Sequence, residues 1–100
     1  MDAQSAEGTV NQILFEIDRV PDLTSPEPVT DCVDAMFEGR YFMHSAAEYL
    51  EAIDIVVPAG HLPERSLRFS QDYNEQQLLD FLGRVGAELR TRLAEQPASS

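Results

Sequence analysis

The chain predicts a mainly α fold: a small bundle of three or four helices around one core, with an α+β variant carrying one short β-hairpin as the alternative. Three observations lead there. With 100 residues, 43% of them hydrophobic and 25% charged, the chain is composed as one ordinary globule. Apolar residues recur at helical spacing in four segments. Cap residues such as Ser25, Gly39, Ser45 and Asn74 stand at the ends of those segments. A single domain over 9–94 is expected, with flexible ends at 1–8 and 95–100.

In the first segment Val10, Ile13, Leu14 and Ile17 fall at i, i+3, i+4 and i+7, and Thr9 is placed to cap them. Ile13, Phe15 and Ile17 also alternate with their neighbours, so 10–18 stays open between helix and strand, and a helix over about 9–19 is favoured. Pro21, Pro26 and Pro28 predict a stiff, extended connection.

The second segment has Val29, Cys32, Val33, Met36 and Phe37 on one stripe, Thr24 or Ser25 as cap, proline in the first turn and Gly39 just past the end. It predicts a helix over 27–38. The third starts at the Ser45 cap, with Ala46, Tyr49, Leu50 and Ile53 on one face. Ile55 points to the charged side of such a helix, so the helix is expected to end near Asp54. The β-branched residues 55–57 then run extended. Helix and strand remain open at 53–57, because Leu67 and Phe69 alternate with their neighbours and 66–70 is a candidate partner strand. In the last segment Asn74 and Gln77 form a capping-box variant ahead of Leu78, Leu79, Leu82, Val85, Leu89 and Leu93. The expected core is Ile13, Leu14, Ile17, Val29, Val33, Met36, Phe37, Leu50, Ile53, Leu78, Leu82, Val85 and Leu89.

Composition removes several function classes. All seven basic residues are arginine and there is no lysine, which excludes a Schiff-base lysine, a Walker A lysine and a lysine general base. A net charge of −11 opposes binding to nucleic acid or to an anionic membrane surface. The one cysteine, Cys32, excludes an internal disulfide and a cysteine-only zinc site. Residues 1–8 lack the order of a secretory signal, and apolar runs reach only about four residues, against the roughly 20 that span a bilayer. A soluble, cytoplasmic protein is expected. The arginine-only cation set suggests a GC-rich genome, and a bacterial source is expected.

The acidic excess is uneven. Residues 1–57 hold 12 acidic groups against Arg19 and Arg40, whereas 58–100 hold six against five arginines. On helix 27–38, Glu27, Asp31, Asp34 and Glu38 lie along one line opposite the apolar stripe, with no cation interleaved. Helix 46–54 adds Glu48, Glu51 and Asp54 on its outer side. If these helices are neighbours, the two faces merge into one anionic surface that attracts a basic partner. The plainer reading is a solvated face. In the last helix Asp80, Arg84, Glu88 and Arg92 alternate in sign at four-residue steps, which reads as a solvated ladder.

Site chemistry is sparse. His44 and Glu48 have metal-sharing spacing, and Cys32 and His61 add soft ligands, yet no CxxC, HxH or HExxH pattern supports them. No metal and no cofactor are expected. Cys32, on the apolar stripe, reads as a small core hydrophobe rather than a nucleophile. No residue set meets the requirements of a catalytic site, so the chain is not expected to be an enzyme. Gly83 and Gly86 inside the last helix suggest close packing, either intramolecular against Ala46 or Ala47 or in a homodimer beside Leu79. The 58–70 connection, with His61, Arg65 and Arg68, is a second candidate recognition element.

Residues 67–93, with Leu67-Arg68-Phe69-Ser70, then Tyr73-Asn74 and a leucine-rich helix, resemble the C-terminal tail of class V aminotransferases and cysteine desulfurases. The resemblance covers about a quarter of the chain and implies a strand–turn–helix unit. It implies no activity, because the family's catalytic lysine has no counterpart here.

The expected function is a small acidic protein-binding module that masks or inhibits a basic partner, in the manner of immunity proteins, enzyme inhibitors, nucleic-acid mimics or secretion chaperones. Glu27, Asp31, Asp34, Glu38, Glu48, Glu51 and Asp54 supply long-range attraction, and Tyr41 and Phe42 the short-range anchors. The alternative is a self-associating subunit of a larger complex, held through the last helix at Leu79, Gly83 and Gly86.

Overall fold

The computed structural model describes residues 2–16, 22, 23, 25–39, 44–62, 67 and 73–95. Among them are four helices and no strand: α1 (Ala3–Glu16), α2 (Pro26–Glu38), α3 (Ala46–Ala59) and α4 (Glu75–Glu95). The mainly α expectation holds. Ile17, 18–21, 40–43, Arg65 and Arg68 lie outside the described residues.

Helix α1 starts six residues earlier than its apolar pattern predicts. Asp2 caps it, its Oδ1 accepting the Ser5 N–H at 2.8 Å. Ala6 is the reason the extra turn is retained: it lies one helical step before Val10 and is fully buried. Thr9 is therefore an interior residue, its hydroxyl donating to the Ser5 carbonyl at 2.9 Å. The strand alternative is wrong across the described part of 10–18.

Helix α2 follows the expected boundaries closely. Pro26 and Pro28 sit in its first turn, where their missing N–H groups cost nothing, so they begin the helix rather than only extending the connection. Ser25 caps it, and Gly39 closes it at φ 73°, a left-handed conformation that suits glycine.

Helix α3 overturns the expected break at Asp54. It continues to Ala59, through Pro58, and Gly60 at φ 77° ends it. Burial decides this: at about 100° per residue, Val56 falls in the middle of the arc formed by Tyr49, Ala52 and Ile53. It is 3% exposed. That burial outweighs the β preference of 55–57, and Pro58 in the last turn forfeits only one backbone hydrogen bond. Ile55 is half-buried against the core rather than solvated. The hairpin is therefore absent on its first side. Of its second side only Leu67 is described, and its backbone is helical. The strand implied by the aminotransferase resemblance fails at that residue for the same reason.

Helix α4 begins with the expected box: Asn74 N–H donates to Gln77 Oε1 at 2.9 Å, and Gln77 N–H to Asn74 Oδ1 at 2.8 Å. Its buried residues, Leu78, Leu79, Phe81, Leu82, Val85, Gly86 and Leu89, span about 160° of the helix. So wide an arc needs two neighbours, and α4 packs on both α3 and α2. Helix α3 also packs extensively on α1, while α2 touches α3 only lightly.

The described members of the expected core are buried, except Phe37 and Leu50, which are half-buried at its margin. The two largest fully buried side chains, Tyr49 and Phe81, were not in that set. Tyr49 ties α3 to α1, its hydroxyl donating to Gln12 Oε1 at 2.6 Å and accepting the His44 N–H at 3.4 Å. Gly86 lies at the α3–α4 crossing, where a Cβ would stand 2.9 Å from Ile53 Cγ2. The contact is with Ile53 rather than Ala46 or Ala47. At Gly83 a Cβ would meet nothing within 4 Å.

Alanine at these two glycines is expected to act in opposite directions. Gly83→Ala gains about 1 kcal/mol of helix propensity, whereas Gly86→Ala loses about 1 kcal/mol net because Ile53 must shift. Urea unfolding midpoints of the two variants check this. Tyr49→Phe, which strands the Gln12 amide, should cost about 1 kcal/mol and lower the thermal midpoint by about 5 °C.

Candidate functional site

The acidic line of α2 is positioned by the burial of Val29, Val33, Ala35 and Met36 on its inner side. Glu27 and Asp31 are exposed, and neither forms an ion pair among the described residues. Glu38 is also exposed, in the last turn. Asp34 differs. It is half-buried and accepts a hydrogen bond from Arg92 Nη1 of α4. The cation that α2 lacks along its own sequence is thus supplied by another helix.

A similar arrangement occurs on α3. Asp54 accepts from Arg90 Nη2 of α4 at 2.8 Å. Glu51 is exposed. Glu48 serves the helix start: its Oε1 accepts the Ser45 N–H at 3.1 Å, while Ser45 Oγ accepts the Glu48 N–H at 3.2 Å. His44 Nδ1 stands 3.3 Å from Glu48 Oε2, so the predicted His44–Glu48 proximity is real. Among the described residues, however, no three His, Cys, Asp or Glu side chains converge as a metal site would require.

Arginines of α4 reach the acidic residues of both α2 and α3. At 100° per residue, Arg92 and Arg90 flank the two edges of the apolar arc. Arg92 turns to α2 and Arg90 to α3, so each acidic helix receives a cation from α4. Arg92 also takes Glu88 Oε1 at 2.9 Å, and Asp34, then Glu88, raise its pKa above the ordinary guanidinium value. Arg84 donates to the carbonyls of Leu23 and Ser25, which lead into α2, and stands 3.2 Å from Asp80. Both four-residue pairs of the expected ladder form, Asp80–Arg84 and Glu88–Arg92, but its two arginines are half-buried and also reach α2 and the residues leading into it.

Of the second recognition element, His61 is described and its side chain is 86% exposed, 3.8 Å from Glu75 Oε1. Its neighbour Leu62 is buried, and the Leu62 N–H donates to Glu75 Oε2 at 3.1 Å. Tyr41, Phe42, Arg65 and Arg68 lie outside the described residues. Cys32 is half-buried and packs at the margin of the core. Gly83 borders an open cleft with Val57, Gly60, Gln76, Leu79 and Ala87. Among the described residues no helix is long and apolar enough to cross a membrane.

Comparison with protein-family models, with curated proteins and with solved structures finds no match to this chain.

The Glu48 carboxyl is held below the ordinary glutamate range, chiefly by the Ser45 N–H, then by the Ser45 hydroxyl, and less by His44. A lowered folded value means its contribution to stability is complete above the unfolded value and is lost as pH falls through the folded one. An NMR titration should show the Glu48 carboxyl carbon titrating below a free glutamate. In Ser45→Ala, which removes the hydroxyl contact, the midpoint should move up.

Proposed function

We propose that this chain is a small acidic protein-binding module that covers and masks a basic surface on another protein. Immunity proteins, inhibitors, nucleic-acid mimics and secretion chaperones share this physical strategy. One observation carries the reading. The three described arginines, Arg84, Arg90 and Arg92, are all engaged with carboxylates or carbonyls of the same chain, while Glu27 and Asp31 face solvent on α2 without such a cation. Part of the acidic excess of the first 57 residues thus faces outward on α2, where it attracts a cationic surface over a Debye length. Glu38 and Glu51 are exposed beside this line, and Asp34 and Asp54 enter the field as half-neutralised pairs. Tyr41 and Phe42, which follow α2 in sequence, are the proposed short-range anchors. A bacterial source and a cytoplasmic location belong to the same proposal.

Self-association through the last helix is the competing reading. Gly86 is closed by Ile53, so a homodimer would have to use the open Gly83 side of α4.

The tested variant is Glu27→Gln with Asp31→Asn, which spares the ion pairs of Asp34 and Asp54. Cell lysate passed over the immobilised chain at low salt should yield a basic protein that is shed at roughly 0.5 M salt, where the Debye length is about 4 Å. The double variant should bind that protein about tenfold more weakly and with a shallower salt dependence. Unchanged affinity and salt slope would sink the proposal. A chain that retains no partner and elutes as a dimer would transfer it to the Gly83 side.

A further inference from the structure

The packing of the four helices is unequal. Of the apolar side chains less than 2% exposed, α2 contributes Val33 alone and α3 contributes Tyr49 and Ala52, while α1 and α4 contribute the rest; Val29, Ala35 and Met36 of α2 are buried less completely. Helix α3 packs extensively on α1 and on α4, so these three form a continuous framework, while α2 rests mainly on α4 and only lightly on α3. Among the described residues, α2 and the residues leading into it are joined to that framework by arginines of α4. Arg84 holds the carbonyls of Leu23 and Ser25 where the chain leads into α2, and Arg92 holds Asp34 in its second half. The Arg92 and Asp34 side chains are 27% and 42% exposed, so water competes for this attachment in a way it cannot for the Tyr49–Phe81 interior.

We infer that α2 is a latched unit: it opens from an intact α1–α3–α4 framework, without global unfolding, and the Arg92–Asp34 pair is its latch. Regions of few buried apolar contacts and solvent-accessible polar attachments are the ones that open sub-globally at low free energy. The inference stands independently of whether the acidic line meets a basic partner. It concerns how that line is carried: on the one helix able to move while the remainder of the fold stays formed.

Amide hydrogen exchange on the full chain under native conditions tests this. Amides 33–37 of α2 are expected to exchange at least about tenfold faster than amides 49–56 of α3, which face the framework interior. Arg92→Met should speed exchange in α2 a further fivefold to tenfold, roughly the scale of a half-exposed, hydrogen-bonded ion pair, and leave α3 unchanged. Arg90→Met, which breaks the comparable pair to Asp54 of α3, should leave α2 exchange unaltered. The inference is overturned if α2 amides of the native sequence exchange in step with those of α3, or if Arg92→Met shifts both helices alike. The comparison within the native sequence decides the matter even if a variant fails to fold.

Discussion

Helix α4 presents an apolar arc of about 160°, from Phe81 at one edge to Leu79 at the other, and no single helix can cover it. This requirement organises the bundle. One edge takes α3, close enough that Gly86 must lack a side chain beside Ile53. The other edge takes α2. Helix α1 packs on α3 as well, joined to it by the Tyr49–Gln12 hydrogen bond. The polar residues at the borders of the α4 arc follow from the same geometry. A long, charged side chain at the edge of an apolar stripe lays its stem along the neighbouring helix and delivers its head to that helix's polar atoms. Arg84, Arg90 and Arg92 do this.

The consequence for charge is an internal division of labour. With seven cations against 18 acids, the chain has few positive groups to place, and the described ones stabilise contacts between helices. What is left facing water on α2 is anionic. Like-charge neighbours on one helix face cost only a few tenths of a kcal/mol each, so the fold tolerates this without a compensating cation at Glu27 or Asp31.

Much of this was legible in the residues, and the exceptions have physical causes. Caps at Ser25, Ser45 and Asn74 were readable because their hydrogen bonds are local and their spacing is set by the helix itself. The start of α1 was not, because Ala6 is too small to register in an apolar pattern although it is completely buried. Residues 55–57 look extended by propensity, and only the tertiary position of Val56 reverses that. Phe81 was overlooked because a single stripe through Leu78, Leu82, Val85 and Leu89 assumes one neighbour. The ladder on α4 held its own signal: each four-residue step advances about 40°, so three steps from Asp80 carry Arg92 round to the apolar edge. The pairing of Arg92 with Asp34, 58 residues away in sequence, left no local trace at all.

Tyr49 gives the molecule a property that its packing alone does not suggest. The chain has no tryptophan and three tyrosines, so its ultraviolet spectrum above the peptide bands belongs chiefly to phenol rings. Tyr49 is fully enclosed, with its hydroxyl donating at 2.6 Å to an amide oxygen and its ring edge-on to His44 at 5.6 Å between centroids. An enclosed, oriented chromophore of this kind acquires optical asymmetry that a solvated one lacks. The seam between the first and third helices therefore carries its own intrinsic optical probe, and its integrity can be followed in unlabelled protein by near-ultraviolet circular dichroism.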